Sequence, residues 1–382
     1  MTIFQASRLN IVMQTGAIAE TGHQQQQLLQ TKQHFEVLDG LRGIAAIVVV
    51  FFHFMEIVYT DFSKNFAAHG FLAVDFFFCL SGFVIAYAYD NRIEKMGFRE
   101  FFISRVIRLH PLVVLGTVLG LLAFLFDPFT GFPTGYSAGK LALVILTSLL
   151  MVPFPVMSER AFNLFGLNAP GWSLFWEYVA SIVYGAILWR LNKRILLVLA
   201  VISAVWLSYI GYTAGNLLGG WSKDNWWHGG ARLSYSFLAG MLVYRYKLII
   251  TNKLGFAGTT LLLLCALLMP WTNMAWLTEL IIVIAWFPFL IALGAGTPAG
   301  SGIQSICSFA GKISYPLYMT HYAVMWAFGG YYAKYQPGTG QVTLIIIGGV
   351  ILLIGLAYLA MAAYDTPVRR YLTARRKLNS QR

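Results

Sequence analysis

Two residues of the apolar run LDGLRGIAAIVVVFFHF, residues 38–54, could do chemistry: Arg42 and His53. They stand eleven positions apart. That is close to three helical turns, so one helix face would carry both, about 16 Å apart along the axis. An arginine offers phosphate a fixed fork of N–H donors. A histidine can move a proton near neutral pH. Each has a plainer role as well: a snorkelling interfacial anchor for Arg42, a bond to a neighbouring helix for His53. The shared face favours chemistry over either plain role taken alone.

Four further stretches carry polar groups into apolar surroundings. In FLAVDFFFCLSGFVIAYAYD, Asp75 is a candidate catalytic carboxylate or the partner of a buried base, and Ser81-Gly82 reads as a close helix-packing point. In FREFFISRVIRLHPLVV, Arg105 and Arg108 share a helix face and could clamp a phosphate, against ordinary cytoplasmic positive charge; His110-Pro111 reads as a helix start. In PGWSLFWEYVASIVYG, Pro170-Gly171 break the chain, Ser173 reads as a cap, and Glu177 lies one turn deeper on the same face. Trp172 and Trp176 read as interfacial belt residues. In GKISYPLYMTHYAVMW, Tyr315, Tyr318 and His321 fall loosely on one side of a helix, as a polar network or as groups assisting catalysis. Asp365-Thr366-Pro367 reads as a helix end, and Glu56 and Glu279 as solvated ends of spans.

The elements that must position these groups follow from composition. Of 382 residues, 58% are hydrophobic and 11% charged; a soluble domain carries about 25% charged residues. The chain reads as an all-α polytopic membrane protein. About ten transmembrane helices are expected, near 41–59, 70–89, 107–126, 172–189, 195–212, 231–246, 254–270, 275–294, 313–332 and 341–363. The segment 141–152 is too short to cross the roughly 30 Å hydrocarbon core and is expected to be re-entrant or interfacial. With both termini cytoplasmic, 21 of the 27 Lys and Arg residues fall inside. Lys64, Lys140, Arg160, Lys223, Arg232 and Lys334 fall outside. This satisfies the positive-inside rule.

The formal charge of +12 is thereby assigned to cytoplasmic loops rather than to nucleic acid. Residues 1–36 read as a flexible cytoplasmic tail without a signal peptide, 37–368 as the membrane domain, and 369–382 as a basic cytoplasmic tail. The three cysteines have no metal or disulfide spacing, and no metal is expected. Arginines at a cytoplasmic mouth, with histidines and carboxylates deeper, suit two functions. One is a reaction whose donor and acceptor enter from opposite sides. The other is a proton-coupled transporter or a lipid-linked sugar flippase. The residues alone leave both open.

The motifs LDGLRGIAA with Arg42-x10-His53, VDFFFCLSGF, Arg105-x-x-Arg108-Leu109-x-Pro111, WSLFWE, ISYPLYMTH and a closing Asp-x-Pro stand in the order of one family. Over roughly residues 36–370 the chain resembles the acyltransferase-3 family of integral membrane acyltransferases. The resemblance implies transfer of an acyl group, often acetyl, to hydroxyls of cell-envelope glycans or other acceptors. It implies acyl-coenzyme A, acetyl-coenzyme A first, as a donor substrate on the cytoplasmic side, with no tightly bound cofactor. It implies an essential pair in Arg42 and His53 and a donor-associated pair in Arg105 and Arg108; Arg42 is expected to join that pair in holding the donor phosphates.

His53 is then the expected general base, with an acyl-carrier role left open. Asp75, Glu177 or His321 would assist it. Asp39, Ser81, Trp172, Ser173, Tyr315, Tyr318 and Asp365 would support the site. The family more often closes with Glu-x-Pro, so the contact of Asp365 is the point of departure. A hydrolase-like module fused to some members is expected, if needed, as a separate periplasmic acyl-passing protein. Multi-pass insertion in the inner membrane is the expected location. The aromatic loop 213–230 reads as interfacial, and the acceptor is not specified.

Overall fold

The computed structural model describes residues 34–131 and 134–380. The expected N-terminal tail, up to residue 33, lies outside the described residues. Eleven helices build the body, and a twelfth follows: α1 Glu36–Val58, α2 Ala73–Tyr89, α3 Ile93–Leu125, α4 Ala138–Leu149, α5 Gly171–Ala186, α6 Lys193–Ala214, α7 Trp226–Arg245, α8 Gly255–Leu267, α9 Ala275–Gly296, α10 Gln304–Tyr335, α11 Thr339–Leu359 and α12 Thr366–Ser380. Among the described residues there is no strand, only an isolated bridge between Asn163 and Ser222. The fold is all-α.

Six helical stretches are long and apolar enough to cross a membrane: Glu36–Val58, Gly70–Tyr89, Ile93–Leu125, Lys193–Ala214, Ala275–Gly296 and Thr339–Leu378. All ten expected segments fall on helices, and α4, at 12 residues, is the short one. α6 exposes Ile195, Val198, Val201, Ile202 and Val205, and α11 exposes Leu344, Ile347, Ile351 and Leu352. Apolar faces this extensive are unfavourable in water and match a hydrocarbon surround.

Local rules explain the element ends. Glu36 and Asp39 place negative charge in the first turn of α1, where the helix dipole favours it. Asn192 caps α6 by accepting from the Arg194 and Ile195 amides. Gly215 ends that helix in the left-handed conformation.

Three expected boundaries differ. Pro111 lies inside α3, not at its start, because the chain break is at Gly97, whose φ is 79°. Close to the proline, the Tyr315 hydroxyl of α10 donates to the Leu109 carbonyl at 2.6 Å, which ties this part of α3 to α10. Asp365 does not end a helix. It closes a π turn, Ala360–Asp365, that runs on into α12. Residues 226–230, expected in a loop, open α7.

The body is organised around two intimate helix pairs, α1 with α10 and α2 with α7. In the second pair the backbones nearly touch. A Cβ at Gly82 would fall 2.0 Å from the Phe237 carbonyl oxygen, and one at Gly240 would fall 1.8 Å from that of Cys79. Small residues at such crossings are the usual means of close packing in membranes. The α1–α10 pair positions the functional groups.

Candidate active site

The two ends of α1 carry different chemistry. At the N-terminal end Arg42 is tied to α10. Its Nη2 donates to the Gly311 carbonyl at 2.6 Å and pairs with Asp39 at 3.0 Å, and its Nε donates to Ser314 Oγ at 2.9 Å. Arg105 of α3 is buried. It donates from Nη2 to Glu177 Oε1 at 2.5 Å and from Nε to Ser181 Oγ at 3.2 Å. Ser81 donates to the same Glu177 oxygen at 3.1 Å. One polar network therefore joins α2, α3 and α5.

Arg108 stands apart from its neighbour. Among the described residues its guanidinium has no hydrogen-bond or ion-pair partner, and the side chain is exposed. Yet Arg105, Arg42, Glu177 and Arg369 all act on it electrostatically. An exposed guanidinium within electrostatic reach of these groups is open to a ligand. Arg42, Arg105 and Arg369 each have a carboxylate partner, in Asp39, Glu177 and Asp365, so Arg108 carries the uncompensated charge of the group, a setting that favours a phosphate. Arg369 is held there by the buried Asp365 at 3.1 Å.

At the other end of α1, His53 Nδ1 lies 2.5 Å from Glu56 Oε1. A carboxylate only accepts, so Nδ1 carries the proton and Nε2 is left unbonded. The His53 ring stacks on His321 at 5.2 Å between centroids and meets Tyr322 edge-on at 4.9 Å. His321 is wholly buried. Its Nδ1 sits 2.8 Å from the Tyr318 carbonyl and 3.2 Å from that of Leu317, so it too must be the N–H. The buried His321 Nε2 has no partner. The site thus presents two imidazole nitrogens, both free to accept.

Tyr315, Tyr318 and His321 form a ladder along α10 between the two ends. Tyr315 bonds Leu109 next to Arg108, Tyr318 bonds Ser173 Oγ at 2.7 Å, and His321 meets His53. Ser173 is not a cap; it lies inside α5 and donates back to the Pro170 carbonyl at 3.1 Å.

Two expected carboxylates face elsewhere. Glu177 belongs to Arg105. Asp75 is fully buried and gripped by Arg232 of α7, with Nη2 to Oδ2 at 2.6 Å and Nε to Oδ1 at 3.1 Å. Arg232 also donates to the carbonyls of Gly219 and Phe71 and lies 5.2 Å from the ring of Trp172. Trp172 and Trp176 are consequently core residues, 8% and 7% exposed, rather than belt residues. Glu279, expected to be solvated, is buried against His69 at 3.3 Å, and its Oε2 accepts from the Leu217 amide at 2.5 Å.

Sequence reasoning passed over Glu56, Tyr322 and Arg369. The spacing of Glu56, three positions after His53, was the available signal. Among the described residues no group of three or more His, Cys, Asp or Glu side chains could hold a metal.

Comparison with known proteins bears on this geometry. The Acyltransferase domain family, acyltransferase-3, matches residues 35–361. "Protein 2 in picA locus" of Rhizobium radiobacter is 37% identical over 187 residues, 45% of this chain and 93% of that protein. Peptidoglycan O-acetyltransferase OatA of Listeria monocytogenes is 25% identical over 379 residues, 89% of this chain. The chain spans just over half, 56%, of the length of that Listeria protein. No solved structure gives a significant match. The family match covers the whole helical body that carries Arg42, His53, Arg105 and Arg108, and the chain belongs to the acyltransferase-3 family.

Proposed function

We propose that the protein is a membrane O-acyltransferase that moves an acyl group, acetyl first, from acyl-coenzyme A to a hydroxyl of a cell-envelope glycan. The observation that carries the reading is the His53–Glu56 pair at one end of the helix whose other end bears Arg42. It joins a poised base to a cationic mouth on one rigid element. Family membership favours transfer over transport for the same charges. The Listeria relative is named for O-acetylating peptidoglycan, which supports a glycan acceptor here.

In the proposed reaction, Arg108, with Arg42, Arg105 and Arg369 around it, takes the phosphates of the donor at the cytoplasmic mouth. The pantetheine arm reaches along the α10 ladder and brings the thioester to His53. His53 Nε2 accepts the proton of the acceptor hydroxyl as its oxygen attacks the thioester carbonyl. The tetrahedral intermediate collapses by breaking the C–S bond, and the thiolate recovers the proton from His53. Glu56 holds the ring in the productive tautomer and stabilises the imidazolium. His321 Nε2 accepts a hydrogen bond from water or from the acceptor and orients it. Both termini lie in the cytoplasm and the body, residues 37–368, in the inner membrane, with a separate periplasmic protein as the next carrier wherever the acyl group must travel further.

Two variants test the division of labour. Glu56→Gln keeps the shape but removes the carboxylate charge, and kcat is expected to fall by about 100-fold or more while the donor KM holds. An unchanged kcat would remove Glu56 from the mechanism. Arg108→Ala removes a cation that holds no structural partner. The donor KM is expected to rise by about 10- to 100-fold, the loss of one charge-assisted contact to phosphate. A normal KM would exclude the phosphate site.

A further inference from the structure

Arg160 is the one outer arginine of the sequence reading that the reaction above does not use, other than the structurally paired Arg232. It is 7% exposed, yet among the described residues its guanidinium has no hydrogen-bond or ion-pair partner, and Nη1 is fully enclosed. A buried, unpaired guanidinium is costly and is normally met by an anion or by polar groups. Burial lowers its pKa to about 10, against the opposing pull of Glu159, Asp127 and nearby tyrosines, so it stays charged at neutral pH. The nearby carboxylates are engaged elsewhere. Glu159 accepts from Tyr136, and Asp127 accepts from the backbone amides of Phe129 and Thr130.

Arg160 is also held in place. Ala161 and Phe162 directly after it both adopt left-handed φ, 51° and 50°. Such strain persists only where the surroundings enforce it. The Leu164 amide donates to the Trp221 carbonyl at 2.8 Å, and the Lys223 amide to that of Phe162 at 3.2 Å. The guanidinium carbon lies 4.0 Å from the centroid of Trp326, whose buried Nε1 also lacks a partner. Trp326 contacts Tyr322 at 4.9 Å, and Tyr322 contacts both His53 and His321. A contiguous row of side-chain contacts therefore links the unpaired cation, through two aromatic rings, to His53 and His321. His53 and Glu56 keep 19% and 27% of their side-chain surface open at its end.

We propose that Arg160 and Trp326 form an acceptor subsite that takes the carboxylate or phosphate of an anionic carbohydrate while one of its hydroxyls lies at His53. The guanidinium and the indole N–H supply donors for the anion, and the Tyr322 and Trp326 rings supply faces for the sugar. The placement of the hydroxyl rests on the acyl-transfer reading; the anion site does not.

The test is equilibrium binding to the purified full-length protein. The probes are glucose 1-phosphate, the methyl glycoside of glucuronic acid, neutral methyl glucoside, inorganic phosphate and, separately, coenzyme A. The wild type is expected to bind one of the charged sugars about tenfold or more tighter than the neutral one, the gain of one charge-assisted contact. The better of the two charged probes tells phosphate from carboxylate. Arg160→Gln should abolish that preference, Arg160→Lys should retain part of it, and coenzyme A affinity should be unchanged in both. A charge preference that survives Arg160→Gln, no preference in the wild type, or no binding of either charged sugar would overturn the subsite. Inorganic phosphate binding as tightly as glucose 1-phosphate would overturn its carbohydrate character. Charged sugars binding in a wild type that ignores coenzyme A would sustain the subsite and refute the donor reading instead.

Discussion

His53→Ala is expected to lower acyl transfer by about 10²- to 10⁴-fold, the usual contribution of a positioned general base, while the protein still accumulates in the membrane. His53 is half-buried and its hydrogen bond stays within its own helix, to Glu56, so its loss removes ring contacts with His321 and Tyr322 but no hydrogen bond between helices. What goes is the only imidazole in the site with a carboxylate behind it. His321 remains, but its Nδ1 faces backbone carbonyls, which orient a ring without offering a negative charge to an imidazolium. Turnover measured by thiol release, set beside membrane abundance, checks the expectation. Near-normal turnover with normal abundance would move the chemistry away from α1.

Arg232→Ala is expected to destabilise the fold rather than the reaction, by about 3–5 kcal/mol, the cost of leaving one member of a buried ion pair alone. Arg232 is 1% exposed and Asp75 wholly buried. The guanidinium makes three contacts to the carboxylate and one each to the carbonyls of Gly219 and Phe71, so it joins α2, α7 and the loop before α7. Removing it strands the Asp75 charge and two carbonyls together. Replacing Arg232 with Met and Asp75 with Leu at once should recover most of the loss, because the desolvation cost disappears with both charges. Thermal unfolding of the three purified proteins tests this. Wild-type stability in Arg232→Ala with lost turnover would return Asp75 to the catalytic group.

These two expectations show what the sequence could and could not tell. The helix that carries Arg42 and His53 was legible, because residue spacing alone fixes a shared face on a long apolar helix. So were the ten helical segments and the short one, since hydropathy reports directly on burial in lipid. Partners were harder to see. Asp75 meets a residue 157 positions away, and the sequence does not show that residues 226–230 form the first turns of the helix that carries Arg232. Glu56 reads as solvated in the sequence although it stands three places from His53; a spacing of i, i+3 permits a pair without requiring one. Arg105 and Arg108 look equivalent in sequence, and tertiary contacts divide them into a buried anchor and a free cation.

The most direct test of the central claim is to give the purified protein acetyl-coenzyme A with an isotopically labelled acetyl group, together with an isolated cell-envelope glycan, and to follow the label by mass spectrometry. Label is expected on glycan hydroxyls with stoichiometric release of coenzyme A thiol, lost in His53→Ala and demanding more donor in Arg108→Ala. Intact labelled donor and an unlabelled glycan, from a wild-type protein that is folded and embedded in lipid, would contradict it.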